Sequence, residues 1–71
     1  MSGMLSLQVN GEHRPCPAGL DLEQALRALG YEPRLVVVEL NGEILPRQHW
    51  PSRTVVESDV LEVVTIVGGG S

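Results

Sequence analysis

Three consecutive glycines, Gly68-Gly69-Gly70, follow a β-branched run in "VLEVVTIVGGGS" and offer backbone with no side chain to obstruct it. Glycine loses more conformational freedom on ordering than any other residue. The triplet is therefore poor for stability and well suited to threading. A narrow catalytic cleft of another enzyme accepts main chain without Cβ atoms and can pair along both of its sides. The chemistry on offer is that of a carboxylate presented on a stalk, as a substrate. Four extended residues after Val67 reach about 13 Å. The competing reading is a spacer, since Gly-Gly-Gly-Ser is a common engineered linker.

The other reactive side chains carry less. Cys16 is the single cysteine, which excludes an internal disulfide and any Cys-rich metal or iron–sulfur site. It lies between Pro15 and Pro17 with no basic group evident to activate it, as an inert thiol does. His13 and His49, with one distant cysteine, do not make a metal site. Ser58 of "ESD" (57–59) stands beside Asp59 like the carrier serine of acyl carrier proteins. Those are all-helical, and this serine opens a strand. Arg47 and Trp50 are residue types favoured at interaction hot spots. They fit a partner-recognition point or a loop packed onto the sheet with Trp50 filling it. No metal and no bound cofactor is expected.

Charge narrows the partners. All five cations are arginines (Arg14, Arg27, Arg34, Arg47 and Arg53), and the net charge is −4. Without a basic cluster for phosphate contacts, no nucleic acid is expected. An acidic surface fits docking onto basic protein partners. Lysine is absent, so no side-chain amine can accept an isopeptide bond. No segment approaches the roughly 20 apolar residues of a membrane span. The start, "MSGMLSLQVN", lacks the basic and apolar regions of a signal peptide. No membrane association is expected, and the cytoplasm is the expected location.

Those residues need a frame. "MLSLQV" (4–9) alternates, with Leu5, Leu7 and Val9 on one face and Ser6 and Gln8 on the other, as a half-buried strand does. Asn10-Gly11 signals a hairpin. The returning "EHRPCPA" holds two prolines and must be an edge strand. Asp21 and Gln24 form a capping box ahead of Leu22, Ala25, Leu26 and Leu29, one apolar stripe. Gly30 and Pro33 close that helix, predicted over 21–29. "RLVVVEL" (34–40) reads as a strand, Asn41-Gly42 as a second hairpin turn and "EIL" as a short return. "PRQHWPS" is irregular, "TVV" (54–56) a brief strand, and "VLEVVTIV" (60–67) the last strand.

One helix cannot cover both faces of a sheet, so the fold class is α+β with one open face. The order of elements, with the long last strand central beside the first, is the β-grasp (ubiquitin-like) plan. It has a mixed sheet of four to five strands and one main helix packed on one face. Residues 1–67 form the domain and 68–71 a glycine tail. In the last strand, Glu62 should face solvent, which places Val60, Val64 and Ile66 on the open face beside it. Glu39 shares a face with Leu35 and Val37 in the same way. That aliphatic surface is either a docking patch or is covered by the 46–53 loop with Trp50 as lid.

From about Met4 to Gly70 the sequence resembles the ThiS-type sulfur carriers of thiamine biosynthesis, small ubiquitin-like proteins ending in Gly-Gly. The most specific stretch is "VELNGEILPRQHW", with Trp50 three positions past Arg47; Val67-Gly68-Gly69 also matches the family's ending. Related molybdopterin-synthase carriers share the fold and the Gly-Gly end, without the Pro46-Arg47 and Trp50 pattern. A ubiquitin-like protein modifier is a further alternative. The resemblance implies a carrier that is not itself an enzyme. An E1-like, ThiF-type adenylyltransferase uses ATP to activate the terminal carboxylate. Sulfur from a persulfide enzyme or sulfide then gives a thiocarboxylate, and a ThiG-type thiazole synthase receives that sulfur. Gly70 is favoured as the reactive residue over Gly69. The family's reactive carboxyl is usually on glycine, whereas Ser71 follows here. A native residue removed by a protease, an added remnant and a tolerated terminus all fit it. Val60, Glu62, Val64, Ile66, Arg47 and Trp50 are the candidate docking residues.

Overall fold

The computed structural model of the chain describes residues 3–66. Five strands form one sheet: β1 (Met4–Val9), β2 (Glu12–Pro17), β3 (Val36–Leu40), β4 (Glu43–Ile44) and β5 (Val60–Thr65). Their order is β2-β1-β5-β3-β4. β5 runs parallel to β1 and antiparallel to β3. The last strand is thus central, as its apolar run predicts. The proline-bearing β2 sits at an edge, where missing donors cost no ladder bond.

Both hairpins turn on Asn-Gly with positive φ at each residue: 51° and 85° at Asn10-Gly11, 53° and 90° at Asn41-Gly42. That is the turn whose twist matches the flanking strands. Between the hairpins lies α1 (Leu22–Ala28), with both arms of the capping box made. The Gln24 amide donates to Asp21 at 2.8 Å, and the Asp21 amide donates to the Gln24 side chain at 3.1 Å. At the other end Gly30 takes φ 100°. The Gly30 and Tyr31 amides then donate back to the Arg27 and Leu26 carbonyls, a Schellman closure. Arg14 reaches across from β2 to the Leu29 carbonyl at 3.1 Å.

The apolar stripe of α1 (Leu22, Ala25, Leu26) lies on the inward side chains of the sheet: Leu7, Val9, Val36, Val38, Leu40, Leu61 and Val63. Together with the main helix on one face, this is the β-grasp arrangement. No helix among the described residues is long and apolar enough to cross a membrane.

The helix expected over 21–29 runs Leu22–Ala28 with Asp21 and Leu29 as its caps, and the last strand expected over 60–67 ends at Thr65. Three further expectations shift. Pro33–Leu35 is a 3₁₀ turn, so the third strand starts at Val36 rather than residue 34. "TVV" is not a strand of the sheet. Thr54 makes an isolated bridge to Asp21, because the backbone of 53–55 bonds to that of Leu20 and Leu22 at the head of the helix. Residues 47–52 are a 3₁₀ helix rather than irregular chain.

Candidate functional site

The site is built on β5, where buried Leu61 and Val63 alternate with exposed Glu62 and Val64. Val60 is half-buried beside Gln8 of β1. Ile66, just past the strand, is 54% exposed and Val64 60%. The Ile66 amide donates to the Leu35 carbonyl at 2.7 Å, so the chain stays fastened to the 3₁₀ turn as far as the last described residue. Val64 pairs with Val37 across the sheet, and Glu39 pairs with both Glu62 and Ile44. Val37 and Ile44 are exposed as well. The structure therefore brings Val60, Glu62, Val64 and Ile66 onto one open face and adds Val37, Glu39 and Ile44.

Arg47 and Trp50 do not join that face as a pair. Trp50 is 2% exposed and belongs to the core, donating its indole N–H to the Leu45 carbonyl at 2.9 Å. The 47–52 segment packs against α1, on the helix side of the sheet. Trp50 is accordingly corrected from docking residue to core residue, and the 46–53 loop is no lid over the open face. Arg47 stays at the surface, its guanidinium 5.3 Å from the Trp50 ring centroid. It donates to the Arg34 and Val36 carbonyls at 3.3 and 3.2 Å. The Pro-Arg-x-x-Trp stretch thus ties the 3₁₀ helix to the start of β3.

Two polar devices were hidden in residues that sequence reading assigns to turns alone. The Asn10 side chain accepts from the Val63 amide at 2.7 Å and donates to the Val63 carbonyl at 3.1 Å, extending the β1–β5 ladder past the turn. Asn41 accepts from the Val60 amide and donates to Asp59, both at 3.0 Å. Asp59, 4% exposed, also accepts from the Val56 amide and pairs with Arg53 at 3.2 Å. β5 is clamped at its start and at mid-length by the two asparagines. The only sequence signal was that Asn, rather than Gly, stands first in both turns.

Cys16 is fully buried on β2, and burial pushes its thiol pKa up, away from reactivity. His13 and His49 are exposed on separate elements. Among the described residues no His/Cys/Asp/Glu group could hold a metal. Ser58 sits in a turn with φ 71°. The threading residues Gly68, Gly69 and Gly70, and the expected domain boundary after residue 67, lie outside the described residues.

This geometry is a small frame with an open apolar–acidic face on which the central strand β5 lies. The ThiS family model matches residues 7–70. The chain is 40% identical over 67 residues to a thiazole synthase of Paramagnetospirillum magneticum, covering 94% of this chain and 21% of that protein. The chain thus spans about a fifth of that relative's length. It is 39% identical over 62 residues to the sulfur carrier protein ThiS of Thermus thermophilus, covering 87% of this chain and 95% of that one. The crystal structure of the thiamine biosynthesis protein ThiS of Geobacter metallireducens is similar at a TM-score of 0.76 and 35% identity, over 93% of this chain and all of that one.

Proposed function

The chain belongs to the ThiS family; from that premise we propose that it is a sulfur carrier of thiamine biosynthesis, like the relatives it matches, and that a glycine carboxylate at the end of its tail is the group that bears the sulfur. The observation that carries the proposal is the family match running unbroken from the β-grasp frame through Gly70. A carboxylate is too poor an electrophile for sulfur to attack. A partner adenylating enzyme would join the carboxylate to the α-phosphate of ATP, releasing pyrophosphate. Sulfide attacking the acyl carbon would then displace AMP and leave a thiocarboxylate. With a persulfide donor, an acyl disulfide forms first and a thiol must cleave it.

The chain supplies no acid, base or metal to these steps; it acts as a co-substrate. Its residues deliver: glycines 68–70 enter the cleft, and the open face around Val64 carries the affinity. The thiazole synthase is the acceptor this reading implies, and relatives that carry a similar segment under the name thiazole synthase support the pairing. Hydrolysis of the Gly70–Ser71 peptide bond must first free the glycine carboxylate and release serine. The test is therefore the intact mass of the chain purified from its own host, or of the chain shortened to Gly70 after incubation with the host's adenylating enzyme, ATP and sulfide. The expected product ends at Gly70 with one oxygen replaced by sulfur. An ordinary carboxylate in both cases, on the host's chain and on the chain shortened to Gly70, overturns the proposal.

A further inference from the structure

Glu39 and Glu62 are partners in the β3–β5 register. Backbone bonds from Asn41 to Val60 and from Ile66 to Leu35 fix the phase of the ladder. Glu39–Glu62 falls two residues from the first, so it is a hydrogen-bonded pair, with Cα atoms about 5.5 Å apart. Both side chains are exposed on the same face. Like charges directly opposite destabilise a sheet, and among the described residues no hydrogen bond or ion pair to a cation offsets this pair. Each of the five arginines is engaged elsewhere: Arg14 with Leu29, Arg27 with Glu23, Arg34 with Glu32, Arg47 with backbone carbonyls and Arg53 with Asp59. Around the acids lie Val37, Ile44, Val64 and Ile66, all exposed.

We propose that this face docks a partner protein presenting an arginine ringed by apolar side chains, with Glu39 and Glu62 closing on the guanidinium from two sides. A guanidinium offers five donors in one plane and is weakly hydrated, so it can serve both carboxylates at once. Charge decides against other occupants: nucleic acid, an anionic membrane and a second copy of this net −4 chain would all be repelled. Position decides for the enzyme that acts on the tail. Gly68 follows Ile66 by two residues, at most about 7 Å of chain, so whatever holds that segment comes within that reach of the exposed Ile66. The inference rests on the sulfur-carrier reading and names the chemistry of the surface that reads this face.

The experiment is calorimetric titration of the host's adenylating enzyme with the full chain and with Glu39→Gln, Glu62→Gln and the double variant, at about 50 and about 300 mM sodium chloride. The double variant should bind at least about tenfold more weakly at low salt and lose most of the salt dependence. Its thermal midpoint should equal or exceed that of the parent, because a repulsion has been removed. Unchanged affinity in the double variant overturns the inference. Loss of binding with Val64→Asp while the double variant binds as tightly as the parent would show a purely apolar contact, and overturns it as well. A self-associated chain by sedimentation, dispersed by Val64→Asp, overturns it in favour of a second copy. The two readings fail separately: if the parent chain acquires a thiocarboxylate and the double variant binds as well as the parent, only the arginine clamp falls. If the parent never acquires one, the sulfur-carrier chemistry falls.

Discussion

The two asparagines show how one residue can meet two demands. A left-handed turn position favours Gly and tolerates Asn, so either would satisfy the hairpins. Only Asn can also reach β5. Asn41→Ala removes two hydrogen bonds, leaves the Val60 amide and Asp59 short of a partner, and puts a Cβ residue with no compensating contact at φ 53°. The expected cost is about 2–3 kcal/mol, against about 1 kcal/mol less for Asn41→Gly, which relieves the backbone term. Urea unfolding of the pair checks the ordering. Cys16 gives a second prediction. Its thiol pKa is raised by burial, so the folded chain holds that proton more tightly than the unfolded chain does. The associated stability is full below the ordinary thiol pKa and declines as pH climbs through the raised value. A thiol reagent should label Cys16 only at the rate of unfolding, with labelling followed by mass at neutral pH.

Elements were legible where local chemistry and tertiary demand agree. The helix could be read because its cap, stripe and closing glycine all lie in ten residues, and each is used as written. The 47–52 segment could not be read that way: its prolines mask a 3₁₀ helix whose reason is tertiary, the burial of Trp50 against α1. "TVV" failed for the opposite cause, since β-branched residues describe a strand without saying what pairs with it, and here the partner is the helix leader. The 3₁₀ helix therefore has a predictable hierarchy. Trp50→Ala should cost about 3–5 kcal/mol, as loss of a fully buried large aromatic does. Arg47→Ala should cost about 1 kcal/mol, because its bonds to the Arg34 and Val36 carbonyls are made at an exposed side chain. Circular dichroism of both variants in urea ranks them; equal costs would show that Arg47 holds the segment as firmly as the indole.

At the scale of the molecule, stability and function occupy different surfaces. Every buried hydrophobic residue among those described lies between Leu7 and Val63, on the helix side of the sheet. The open face adds nothing to that core. Sequence could separate them because a strand alternates with period two, so Glu62 marks the outward phase for the whole of β5. It could not show the face uncovered, since that depended on which side the Trp50 loop would choose. A chain stopped after Val67 should therefore unfold at the same urea concentration as the full chain, within the scatter expected for surface changes of about 0.5 kcal/mol. The same chain should accept no sulfur from the adenylating enzyme, read as the absence of the thiocarboxylate mass. Intact loading without the glycines would mean that they are only a spacer. A lower unfolding midpoint would mean that the segment packs onto the fold it was argued to leave.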